Sequence, residues 1–396
     1  MTFGKFNVHH IDRNKLEQSQ IDSDNQTMLK QQGKRQMNNP RGFHQLKSIG
    51  RLLVLLVALV FLGMGYLASP STAATNKDRT SYLVSLVPVS NKTPIFNPEK
   101  VHLGITPTGW SNGDDPTIDL DPPIRFEQIL SEMALSGFQG SQTSGKYPED
   151  IKVLKKELKL RNLTISEPWV GTEFTVGKKD ETFKEFDKQL QFMKQIGGST
   201  SIVVAELGNA VHQKPVAPLP NRPKFTDKQW QDMTEGLNEL GSIAKKEGMQ
   251  LCYHPHIGTG VENFADIDRL MANTDPENVK LLLDTGHLYY AGVDPLEVTK
   301  KYSDRIKHVH LKNIRQSVLD DSIEKGLSFL DSIRAGVFTV PGDTNGAINF
   351  KPILKELANA KYQGWLVVEA EQDPNKTNPL NNALIARSYL REVTGL

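Results

Sequence analysis

From Val101 onward the chain repeats one rhythm: a short apolar run, then a charged stretch with helical spacing, then another apolar run. The runs are VHLGITPT (101–108), GFQGSQT (137–143), NLTISEPW (162–169), TSIVVAEL (200–207), QLCYHPH (250–256), VKLLLDTGH (279–287), IKHVHLKN (306–313) and GWLVVEAE (364–371). Strands this apolar belong inside a parallel sheet covered on both faces. Between them, DKQWQDMTEGLNELGSIAKKEG sets Trp230, Met233, Leu237, Leu240 and Ile243 on one helical stripe, with Gly248 as a stop. Eight strand–helix units in succession predict a (β/α)8 TIM barrel over residues 101–396. An open doubly wound sheet fits less well, because GITPTGW is not the G-x-G-x-x-G phosphate turn.

A barrel brings the carboxyl ends of its strands to one rim, where its chemistry sits. Strand four ends at Glu206, and strand five at His254 and His256. Strand six ends at Asp284, with His287 just beyond. Strand seven carries His308 and His310, then Lys312, and strand eight ends at Glu369 and Glu371. Residues two apart share a strand face, so His308 pairs with His310 and Glu369 with Glu371. Taken singly, each has an ordinary reading as a cap, an ion-pair partner or an interior histidine. Ionisable groups at five consecutive strand ends are another matter. Carboxylates and imidazoles gathered this way suit a divalent metal such as Mn2+, Co2+ or Zn2+. The single cysteine, Cys252, permits neither an intramolecular disulfide nor a cysteine-based zinc site.

The first hundred residues read differently. Residues 1–48 are polar and poor in aromatics, which predicts a disordered segment. Residues 49–68 read as a transmembrane helix or signal anchor, because Leu52 to Ala68 carry no charge. Basic residues precede that stretch, which would place the barrel on the non-cytoplasmic side. SPSTAAT at 69–75 offers cleavage and export as the alternative. Residues 69–100, with Pro88, Pro94 and Pro98, read as a linker. Residues 1–51 hold nine basic and four acidic side chains, so a chain of net charge +1 leaves a mildly acidic remainder. Such a surface is a poor partner for a nucleic-acid backbone.

The motifs GITPTGWSNGDDP, YHPHIGTGVE, KLLLDTGHLYYAGVDP, RIKHVHLKNIR, FTVPGD and GWLVVEAEQDP resemble the sugar phosphate isomerase/epimerase superfamily, the xylose isomerase-like barrels. More narrowly they resemble the myo-inosose-2 dehydratases, over about residues 101–393. The chain departs from that pattern at His254-Pro255-His256, at Lys312-Asn313 and at Asn349. The resemblance implies a metal-dependent lyase that dehydrates a keto-inositol or similar keto-sugar by enolisation. A sugar isomerase or epimerase is the alternative, and a non-catalytic, membrane-tethered sugar-binding protein a second. On that reading Asp284, His310 and Glu371 hold the metal, His254 or His256 completes the set, and Glu369 stands in for Glu371. Glu206 is the expected base, with a place among the metal ligands as its alternative. His287 and Lys312 bind substrate oxygens or supply the acid. Trp110, Asn112, Asp114, His308 and Asp343 are expected near the substrate, and the long segment holding Phe338, Pro341 and Asp343 is expected to form a lid.

Overall fold

Each apolar run forms a strand. The computed structural model describes residues 92–396; the segments 1–48, 49–68 and most of 69–100 lie outside the described residues, as does the apolar stretch 52–68. Among the described residues no helix is long and apolar enough to cross a membrane. The strands are β1 (Val101–Ile105), β2 (Gly140–Gln142), β3 (Thr164–Glu167), β4 (Trp169–Thr172), β5 (Ser201–Glu206), β6 (Gln250–Tyr253), β7 (Val279–Asp284), β8 (Ile306–Leu311), β9 (Asn313–Ile314), β10 (Phe338–Thr339) and β11 (Gly364–Val368). The helices are α1 (Phe126–Leu135), α2 (Ile151–Leu160), α3 (Lys179–Ile196), α4 (Pro218–Asn221), α5 (Asp227–Lys246), α6 (Phe264–Ala272), α7 (Thr285–Tyr290), α8 (Pro295–Tyr302), α9 (Gln316–Glu324), α10 (Phe329–Ala335), α11 (Phe350–Asn359) and α12 (Pro379–Thr394).

The main sheet runs in the order β3-β2-β1-β11-β8-β7-β6-β5-β4, every pair parallel. β3 and β4 are the two halves of one strand, separated by Pro168. The first half pairs with β2 and the second with β5, so the sheet closes on itself through that bend and forms the (β/α)8 barrel. β9 and β10 make a small antiparallel pair outside it.

Alternation sorts the side chains. Ile202, Val204, Leu251, Tyr253, Leu281, Leu283, Val309, Leu311, Leu366 and Val368 belong to the large apolar cluster that also takes the helices' buried stripes. Val203, Cys252 and Leu282 make a separate small cluster inside the barrel. The stripe expected at 230–243 lies on α5, where Met233, Leu237 and Leu240 are fully buried. Truncating one such Leu to Ala costs about 2–5 kcal/mol. Thr226 and Gln229 form a capping box at the start of α5. Gly248 ends it with φ of 73°, the Met249 N–H reaching back to the Ala244 carbonyl at 2.8 Å.

Candidate metal centre and active site

The inward positions near the carboxyl ends of β6, β7, β8 and β11 are polar. Asp284 and His310 are neighbours across the β7–β8 ladder. His254 follows β6 and Glu369 follows β11. All four are buried. Asp284 caps α7 with one oxygen: Oδ1 accepts the Gly286 and His287 N–H groups at 2.8 and 2.9 Å. Its other oxygen turns inward. Oδ2 lies 3.4 Å from His254 Nε2 and 3.6 Å from His310 Nδ1. Glu369 Oε2 lies 2.6 Å from His310 Nδ1.

Two overlapping triplets share Asp284, one with His310 and Glu369, the other with His254 and His287. Asp284 Oδ2, Glu369 Oε2, His254 Nε2 and His310 Nδ1 have no hydrogen-bond partner among the described residues. Buried polar atoms are rarely left so. Asp284 Oδ2, with His310 Nδ1 and Glu369 Oε2 in one triplet and His254 Nε2 in the other, offers carboxylate and imidazole donors of the kind that suit a divalent cation such as Mn2+, Co2+ or Zn2+.

Lys312 closes one side of this group. It is fully buried. Its Nζ lies 2.7 Å from Glu371 Oε1, 3.2 Å from Glu369 Oε2 and 3.5 Å from Asp284 Oδ2. The same nitrogen is 2.8 Å from His287 Nε2 and sits over the Phe338 ring. Burial disfavours the ammonium, but the three carboxylates outweigh it and hold Lys312 above its ordinary value. Burial opposes ionisation of Glu369 too, yet Lys312 and His310 hold it below the usual range. Glu371 goes the other way: burial, aided by the Glu369 charge, outweighs Lys312 and pushes it up to about 7. His256 and His287 are driven well down, first by burial and then by neighbouring imidazoles and Lys312. Gly286 is what lets Lys312 through, since a Cβ there would overlap the Lys312 methylenes.

Above this floor lies a cavity of about 320 Å³. His254, His256, His287, Glu369 and Glu371 form its base, with Gln142 and Trp169 to the side. Thr108, Gly113 and Asp114 arrive on the loop after β1, and His212 and Gln213 on the segment after β5. The two segments meet where Gln213 Nε2 donates to Asp114 Oδ1 at 3.2 Å. His212 stacks edge-on against His256, with ring centres 5.0 Å apart.

Several expected residues lie elsewhere. Glu206 is not at the cavity. It shares the outward face of β5 with Ile202 and Val204, and its carboxylate accepts from the Thr172 and Thr175 hydroxyls and from the Phe174, Thr175 and Gly208 N–H groups. It is a structural tie, not a base. Trp110 is buried against α1, its Nε1 donating to Glu132 at 2.6 Å. Asn112 is buried too and accepts the Asp114 N–H, shaping the loop rather than lining the cavity. His308 lies below the floor, 3.3 Å from Glu167. Asp343 binds Arg315 at 2.7 Å and the Asn345 N–H. The segment expected as a lid is a packed wall, with Phe329 and Phe338 fully buried against His256 and His287. Of the expected pair, Glu369 faces Asp284 and His310, and Glu371 faces Lys312.

Glu167 was not among the expected residues, although SEPW ends a strand. By strict alternation it would follow Ile165 to the outer face. The β2–β3 register shifts between Ser141 and Gln142, so Ser166 is an extra residue and Glu167 turns inward. Gln142, Trp169, His212 and Gln213 carry no sequence signal of their own; β2 and β4 bring the first two to the cavity, and the segment after β5 the other two.

The sequence profile of the xylose isomerase-like TIM barrel family matches residues 128–393. The inosose dehydratase of Clostridium tetani (strain Massachusetts / E88) is 47% identical over 299 residues, 75% of this chain and 99% of its own. That of Geobacillus thermodenitrificans (strain NG80-2) is 47% identical over 303 residues, 76% of this chain and 100% of its own. Among solved structures, the IOLI protein with a bound zinc atom has a TM-score of 0.55 at 18% identity, covering 74% of this chain and 98% of that one. L-ribulose 3-epimerase also scores 0.55, at 17% identity over 74% of this chain and 95% of that one. These structural likenesses are likenesses of fold. The membrane-anchored or exported placement expected from residues 52–68 is overturned. The dehydratases are matched nearly end to end by about three-quarters of this chain, so they are complete without such an anchor.

Proposed function

The chain belongs to the xylose isomerase-like TIM barrel family and stands among the inosose dehydratases, and from that premise we propose that it is a divalent-metal-dependent lyase removing water from a keto-inositol. Asp284, Glu369, His254 and His310 would hold the ion. When bound, such an ion acts as a Lewis acid on the ketone and makes the adjacent C–H acidic. The remaining work falls to side chains of the cavity.

Elimination needs a base for the C–H proton and an acid for the departing hydroxyl. Glu371 fits the base: Lys312 steadies its Oε1, while Oε2 has no partner among the described residues. His287 fits the acid. Lys312 donates to its Nε2, which leaves the ring proton on Nδ1, again an atom without a partner. The C–H proton passes to Glu371. The C–O bond breaks, and the hydroxyl leaves as water with the His287 proton. The double bond left behind is the enol of a diketone. As the Nδ1 proton leaves, Lys312 protonates Nε2, so the ring stays neutral; Lys312 recovers its proton from Glu371, 2.7 Å away, and exchange with water returns the ring to its Nδ1–H form. His256, His212, Gln142, Gln213 and Asp114 offer neutral dipoles and one charge to the ring hydroxyls.

The observation that carries this reading is the pair of buried triplets beneath the cavity that share Asp284, whose ligand atoms on Asp284, Glu369, His254 and His310 make no hydrogen bond among the described residues. The test gives the full chain Mn2+ or Co2+ and scyllo-inosose, and follows the ultraviolet absorbance of the enolised product. Turnover that stops with a chelator is expected. Metal-dependent conversion to an isomeric ketose, with no loss of water by mass, would replace dehydration with epimerisation.

A further inference from the structure

Adjoining the candidate metal centre through His310 is a further buried group whose other two members, Glu167 and His308, the scheme above does not use. Glu167, His308 and His310 are each fully buried. Glu167 Oε1 is 3.3 Å from His310 Nε2, and Glu167 Oε2 is 3.3 Å from His308 Nε2. His310 therefore spans two sites, Nε2 toward Glu167 and Nδ1 toward Asp284 and Glu369. A neutral imidazole carries one proton, and the nitrogen that keeps it cannot be a ligand.

We propose that Glu167 is a positioning residue for the metal centre: its carboxylate accepts the Nε2–H of His310, fixing the tautomer in which Nδ1 offers its lone pair to the site. This rests on the metal reading given above. The β-bulge at Ser166 is the structural device behind it, because without that extra residue the Glu167 side chain would leave the barrel interior. Carboxylates that hold a ligating histidine from behind raise its basicity and orient its ring, and losing them typically weakens metal binding 10–100-fold. A second ion held by Glu167, His308 and His310 is the competing arrangement, since those atoms are close enough to share one. It would demand the Nε2 lone pair of His310 as well. None of the three residues lines the cavity, so an ion held there would lie away from the substrate.

The experiment titrates the full chain, E167Q and H308Q with Mn2+ alone, in competition with a chromophoric chelator. Wild type is expected to bind one ion. E167Q keeps the size of the side chain but not its charge, and is expected to bind roughly 10–100-fold more weakly. H308Q leaves the Glu167–His310 contact in place and is expected to stay within about threefold of wild type. Should E167Q fail to fold, 15N NMR of the histidine rings in the Zn2+-loaded wild-type chain decides, with His310 expected as Nε2–H and coordinated through Nδ1. Coordination through Nε2, a second bound ion, wild-type affinity in E167Q, or equal losses in both variants would overturn the role of Glu167. Absence of any binding by the wild-type chain would overturn the metal reading itself, and this role with it.

Discussion

The two oxygens of Asp284 face different partners, so on the proposed reading this strand-end aspartate serves both as a cap and as a ligand. Oδ1 caps α7 and Oδ2 faces the imidazoles. Asp284→Asn keeps a carbonyl oxygen for the cap but puts an amide where the inward oxygen was. It should leave the fold intact while metal affinity and turnover fall at least about 100-fold, as circular dichroism, metal titration and kinetics would show. A variant that kept full activity would remove Asp284 from the centre. Glu206 gives the opposite pattern. Glu206→Ala strands several buried donors, so denaturant unfolding should register a loss of about 3 kcal/mol, with KM for the keto-inositol unchanged in whatever protein remains folded. Parity could have exposed this in the sequence, since Glu206 shares the outward register of Ile202 and Val204. Glu167 was hidden for the converse reason: a bulge, which no alternation pattern announces, reverses its side.

At the scale of elements, the β7–α7 turn is the critical joint. Its DTGH sequence supplies the proposed ligand, a cap and a glycine that Lys312 crosses. Gly286→Ala would push a methyl group into the Lys312 methylenes. Overpacking of this kind costs about 1–3 kcal/mol. Here it would also shift the ammonium away from Glu371 and His287, so kcat should fall by more than the thermal stability suggests. Unchanged kcat with lowered stability would mean that Lys312 only packs. Strands and helices were legible because burial imposes a period on them. The loops were not. Trp110 and Asp343 were expected near the substrate, and each instead ties its loop to a neighbouring side chain, Glu132 and Arg315. His212 and Gln213 reach the cavity on the segment after β5, where the Val211 N–H donates to the Gly258 carbonyl.

For the whole molecule, the barrel is a scaffold that concentrates charge it could not otherwise bury. Asp284, Glu369 and Glu371 gather around one ammonium, and His310 is raised well above its ordinary value, burial opposing and Glu369 and Asp284 prevailing. An ion bound there stabilises the native state by mass action, about 2.7 kcal/mol at a concentration 100 times Kd. Heating the full chain with Mn2+ should therefore raise Tm, and a chelator should reverse the rise; an unchanged Tm across the titration would count against a native-state site. The eight-strand architecture was readable because every unit repeats one pattern. The membrane anchor was inferred from a single stretch without such repetition, and relatives matched almost end to end do without it.

The most direct test of the central claim is anomalous diffraction from crystals of the full chain soaked in Co2+. The account predicts one peak about 2.0–2.2 Å from Asp284 Oδ2, Glu369 Oε2, His254 Nε2 and His310 Nδ1. No peak there, or an ion bound instead at Glu167 and His308, would contradict it.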